Sequence, residues 1–100
     1  MPDVFQILAD PTRRKLVDAL RGGERSVGEL VDVVDIGQPG VSRQLAILED
    51  ADFVSVRPDG RRRLYALRPE RFRELSEWVT GYRAIWDARL DRLSDRKSVV

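Results

Sequence analysis

The sequence predicts a mainly α-helical domain with one small β-hairpin, an α+β arrangement in the order helix, helix, helix, helix, strand, strand, helix. Three observations predict it. Apolar residues recur at spacings of three and four along most of the chain. One stretch, Phe53 to Leu67, instead reads as two short apolar strands around the turn signal Pro58-Asp59-Gly60. Asp10-Pro11 and Ser26-Val27-Gly28-Glu29 are start signals that place helices between the apolar runs.

Each element follows from its own residues. Val4, Phe5, Ile7 and Leu8 make an apolar cluster sufficient for one or two helical turns. Asp10 is an N-cap followed by proline at the first helical position, where its missing N–H is no loss. Leu16, Val17 and Leu20 carry that second helix to Gly22-Gly23, which ends it. Ser26 and Glu29 form a capping box, and Leu30, Val31, Val33 and Val34 extend a third helix of about two turns toward Asp35. After a turn at Ile36-Gly37, Pro39 sits in the first turn of a fourth helix, with Val41, Leu45 and Leu48 on one side. Phe53, Val54 and Val56 read as a strand, and Leu64, Tyr65 and Leu67 as its return. Pro69 opens the last and longest helix, in which Phe72, Leu75, Val79, Tyr82 and Trp86 form a heptad seam. The seam ends at Leu93, so residues 1–93 are read as one domain and 94–100 as a loose, disordered tail.

Composition bounds the chemistry. One hundred residues, 42% hydrophobic and 35% charged, suit one small globular domain. Neither cysteine nor histidine occurs, which excludes disulfides, thiolate or imidazole metal sites, and Ser-His-Asp or Cys-His catalysis. Ser94-Asp95-Arg96-Lys97 matches Ser-x-x-Lys in the tail without companion motifs, and no glycine-rich phosphate loop is present, so no enzyme is expected. There is no membrane-length apolar run, and MPDVFQILAD has no signal-peptide pattern, so a cytoplasmic location is expected. Net charge is only +1, yet Phe53–Arg73 carries seven arginines against Asp59 and Glu70. That leaves a local excess of five positive charges, which is what a phosphate backbone would feel.

The third and fourth helices, joined by a tight turn, make a helix-turn-helix unit with Leu30, Val34, Ile36, Val41, Leu45 and Leu48 inside. Pro39, Ser42, Arg43 and Ala46 then face outward, a small polar surface suited to a major groove. Arg43 has the fork to bind a guanine edge, while Gln38, Ser42 and Gln44 can meet bases or phosphates. Arg61, Arg62 and Arg63, next to Gly60 at the hairpin tip, form a basic wing for the flanking phosphates or the minor groove. The unit is thus a winged helix-turn-helix, and double-stranded DNA is its expected partner. A winged-helix module that binds protein is the alternative; it would show apolar or acidic residues where this helix shows Gln38, Ser42 and Arg43.

Four blocks, Ala9-Asp10-Pro11-Thr12-Arg13-Arg14, Ser26-Val27-Gly28-Glu29-Leu30, Gln38-Pro39-Gly40-Val41-Ser42-Arg43-Gln44-Leu45 and Gly60-Arg61-Arg62-Arg63-Leu64-Tyr65, resemble the ArsR/SmtB family of bacterial winged-helix repressors in order and spacing. The resemblance covers about residues 3–93 and implies a homodimeric transcriptional regulator whose first and last helices form the dimer interface. Metal-sensing members carry Glu-Leu-Cys-x-Cys where this chain has Glu29-Leu30-Val31-Asp32-Val33. The resemblance is therefore to the metal-independent branch, with a small-molecule inducer or none, and with no cofactor. Asp87, Asp91 and Asp95 share one helix face, but Arg83, four residues before Asp87, makes a solvated charged face the simpler reading than a cation site.

Trp78, Tyr82, Ile85 and Trp86 put more apolar surface on one helix than a small domain covers. The expected interface joins Trp78, Val79, Tyr82, Ile85, Trp86 and Leu90 of two copies, helped by Val4, Phe5 and Leu8. A twofold dimer would set two reading helices about one DNA turn, or a multiple, apart, so the operator should be an inverted repeat.

Overall fold

The computed structural model describes the backbone of residues 3–99 and the side chains of residues 3–89. Its elements are α1 (Val4–Ala9), α2 (Pro11–Ala19) with a short 3₁₀ turn (Leu20–Gly22), β1 (Arg25–Ser26), α3 (Val27–Val31), α4 (Gly37–Asp50), β2 (Val54–Asp59), β3 (Arg62–Leu67) and α5 (Glu70–Val99). The strands form an antiparallel sheet in the order β1-β3-β2.

The helix starts follow the capping chemistry. Asp3 caps α1, with Gln6 reaching back to the Asp3 backbone. The Asp10 carboxylate accepts from the N–H groups of Thr12 and Arg13 at the start of α2. The Ser26 hydroxyl accepts from Glu29 N–H while Glu29 Oε1 accepts from Ser26 N–H, completing the box on α3. At the far end of α4 the chain closes a Schellman turn. Phe53 N–H reaches Leu48 O at 2.9 Å and Asp52 N–H reaches Glu49 O at 3.0 Å. Asp52 takes the left-handed conformation there, at φ 60°, where glycine is usual.

The core lies between these helices and the root of the sheet. Val4, Leu16, Leu30, Val41, Leu45, Leu48 and Phe53 are completely buried in it. Phe72 closes one side with its ring edge-on to Phe53, centroids 5.4 Å apart.

The structure corrects the sequence expectation in several places. A third strand, β1, pairs Arg25 with Tyr65 and Ser26 with Leu64. Two polar residues carry no local strand signal; only the neighbouring β3 makes them one. Helix α3 stops at Val31 instead of running toward Asp35. Val33 is β-branched, a poorer helix former, and is exposed, so no burial holds it helical. Ile36 is not in the inner core but 40% exposed. The hairpin loop is Gly60-Arg61, with Gly60 at φ 64°, and Pro58 and Asp59 belong to β2. Pro58 is tolerated because β2 is an edge strand. The α5 backbone runs to Val99; the side chains of 94–100, the segment read as a tail, lie outside the described residues.

Candidate nucleic-acid interface

Helix α4 is sharply two-sided. Val41, Leu45 and Leu48 are fully buried, which turns Gln38, Pro39, Ser42, Arg43 and Ala46 into solvent. The turn before it depends on Gly37, at φ 72°, a conformation that side chains disfavour. Gly40 lets Ile36 fold back over the first turn: a Cβ at Gly40 would come within 3.0 Å of the Ile36 side chain. No side chain caps α4, whereas α1, α2 and α3 are each capped by Asp3, Asp10 or Ser26.

Of the predicted reading residues, Gln38, Pro39, Ser42 and Arg43 share the open face. Gln44 does not join them. It is half-buried toward α2, and its Oε1 accepts from Arg13 Nη1 at 3.2 Å. The wing carries Arg61, Arg62 and Arg63, all exposed. Arg62 has a partner that its sequence context did not show: it pairs with Asp59 across the loop at 3.1 Å. Arg61 and Arg63 form no ion pair among the described residues.

A second contact ties the wing to the body. Arg57 on β2 grips Glu24, just before β1, through two hydrogen bonds of 2.6 and 2.9 Å. The Arg57 hydrogen bond holds the Glu24 carboxyl below its ordinary pKa, and Glu24 in turn raises that of Arg57. Glu29 is also held low, first by the Ser26 backbone N–H and then by the Ser26 hydroxyl. The sequence reading missed both the Glu24 clamp and the Arg13 contact, because the partners lie 33 and 31 residues apart.

A different surface runs along α5. Phe72 and Leu75 are half-buried against the chain's own core, but every described side chain from Ser76 to residue 89 is exposed. Trp78, Val79, Tyr82, Ile85 and Trp86 line one open apolar groove of about 530 Å³. Phe5 packs edge-on to Trp78 with centroids 5.2 Å apart, so α1 borders this face. Val4 does not belong to it: it is completely buried in the chain's own core, because it sits on the inner side of α1. Leu8 is half-buried against the same core. The side chains of Leu90, Asp91 and Asp95 lie outside the described residues; Asp87 pairs with Arg83 at 4.0 Å.

Comparisons with known proteins agree with this architecture. The family model described as "Bacterial regulatory protein, arsR family" matches residues 10–56. The HTH-type transcriptional regulator Rv2034 of Mycobacterium tuberculosis is 38% identical over 99 residues, covering 90% of this chain and 92% of that protein. The transcriptional repressor SdpR of Bacillus subtilis is 32% identical over 82 residues, covering 82% of this chain and 91% of its own. The crystal structure of the repressor BigR from Xylella fastidiosa aligns with a TM-score of 0.63 at 33% identity, over 81% of this chain and 80% of that one.

Proposed function

Since the chain belongs to the arsR family of bacterial regulatory proteins, and so is a transcriptional regulator with a DNA-binding winged-helix fold, we propose that it acts as a homodimeric repressor on an inverted-repeat operator. The observation that carries this reading is the division of α4: a wholly buried apolar side and an outward side of Gln38, Pro39, Ser42 and Arg43. Arg43 is the one long cation of that face, with the two-pronged geometry that guanine O6 and N7 accept. Gln38 and Ser42 supply further hydrogen-bonding groups beside it. Arg61 and Arg63 meet phosphates beside the reading helix and add affinity without base preference.

The dimer rests on α5. Five large apolar side chains between Trp78 and Trp86, each 43–64% exposed, make a continuous stripe unmatched elsewhere on the described surface. A second copy of the same stripe covers it under twofold symmetry, with Phe5 at its border. Without cysteine or histidine the chain lacks the ligands of thiolate and imidazole sensing. Any inducer would be a small molecule bound without thiolate or imidazole ligands.

Selection of bound sequences from random duplex DNA tests the whole reading. The expected product is a palindromic consensus. Affinity should fall about 10³-fold or more between roughly 50 and 200 mM salt if six or more phosphates are contacted. No enriched sequence, or a binding constant indifferent to salt, refutes it.

A further inference from the structure

We infer that Arg13 is a positioning residue that sets the reading helix α4 against the α1–α5 face; the inference rests on the DNA-binding reading above. Arg13 is largely buried, with 18% of its side chain exposed, and its guanidinium meets three elements at once. Nε donates to the carbonyl of Ile7 at 2.8 Å and Nη2 to that of Gln6 at 3.4 Å. These belong to the last turn of α1, whose carbonyls have no partners within the helix. Nη1 donates to Gln44 Oε1 on α4 at 3.2 Å and lies 3.5 Å from the Asp10 carboxylate that caps α2. One planar group thus closes the end of α1, faces the cap of α2 and holds α4.

The position of α1 is set on its other side by the Phe5–Trp78 contact with α5. Phe5, the α1 carbonyls, Arg13 and Gln44 make a continuous path from the apolar α5 face to α4. Burial of Val41, Leu45 and Leu48 sets the rotation of α4, and the Arg13 bond to Gln44, the neighbour of Arg43, adds a polar tether to it. The arrangement needs a fork of donors in fixed directions. A lysine keeps the charge but presents one nitrogen, which cannot serve two α1 carbonyls and Gln44 in the same geometry.

The test compares the wild-type chain with Arg13→Lys, Gln44→Ala and the double variant, and with Arg13→Gln, on the operator recovered by selection. Operator affinity is read across a salt series, dimer mass by sedimentation, and folding by thermal melting. Arg13→Lys should bind about five- to twentyfold more weakly, with an unchanged dimer and an unchanged salt slope. Gln44→Ala should lose a similar factor, and the double variant no more than either single one, because both break the same link. Unchanged affinity in Arg13→Lys overturns the inference. A salt slope lower by about one in Arg13→Gln, which unlike lysine removes the charge, also overturns it, since Arg13 would then be touching a phosphate itself. So do additive losses, which mean that the two residues act separately. If Arg13→Lys fails to fold, Gln44→Ala decides alone: full affinity overturns the inference, and a loss at unchanged salt slope and dimer mass supports it. A wild-type chain that binds no duplex refutes the DNA reading itself, whereas binding by the wild type with unaffected variants refutes only the role of Arg13.

Discussion

At the scale of single residues, the side chains that matter most are held in one place by backbone geometry. Asp52 ends α4 in a left-handed conformation that costs an L-residue roughly 1–2 kcal/mol and glycine almost nothing. It also adds negative charge beside Glu49 and Asp50, at the end of the helix that is already negative. Asp52→Gly should therefore stabilise the fold by about 0.5–1 kcal/mol, read as a higher urea midpoint with unchanged slope. Asp52→Asn, which tolerates the same φ, should gain less. Arg43 stands at the other extreme, exposed and without an ion-pair partner among the described residues. Its replacement by alanine should cost operator binding about 1–3 kcal/mol and relax the preference at one base pair, leaving the melting temperature nearly unchanged. A second round of sequence selection with the variant would show whether that position has lost its base.

At the scale of elements, the short α3 and the wing are held by charged contacts at the surface. Glu29 in the α3 capping box is held below its ordinary carboxylate pKa by Ser26, and Glu24 in the wing clamp by Arg57. The folded chain therefore takes up these protons less readily than the unfolded chain. Their contribution is complete above about 4.5, the ordinary value, and is lost as pH falls through the depressed folded values. Urea melts should show stability declining below that point. Glu29→Gln keeps a capping side chain but removes the titration, so the drop between neutral pH and about pH 3.5 should be smaller than in the wild type. An identical drop in both proteins would mean that the box does not carry this linkage.

At the scale of the whole molecule, the long last helix dominates. Thirty residues at 1.5 Å each span about 45 Å. The chain measures 59 × 31 × 22 Å with a radius of gyration of 17.7 Å, against about 13 Å for a compact chain of 100 residues. Beyond Leu75 no described side chain of α5 finds its own core, and helices depend on such packing for most of their stability. In the proposed dimer a second copy would supply it. Ile85→Asp, placed in the middle of the stripe and away from the chain's own core, should shift sedimentation from dimer to monomer at micromolar protein. It should also weaken operator binding, since one half-site must then be held alone. A dimer that survives Ile85→Asp would move the interface elsewhere.

Local chemistry settled much of this protein from sequence alone. Asp10-Pro11, the Ser26–Glu29 box, the Val41–Leu45–Leu48 spacing and the Gly60 turn act over a few residues, so the helix starts, the hairpin and the outward side of α4 were legible in order. What no window of sequence contains is a partner some thirty residues away. Strand β1 exists because β3 passes beside it, Arg62 pairs across a loop whose register only the sheet defines, and Gln44 meets Arg13 because α2 packs beside α4. Val4 and Trp78 both read as apolar residues on amphipathic helices. Only packing decided that Val4 fills the core while Trp78 stays exposed, because burial depends on which other elements arrive and not on the residue itself.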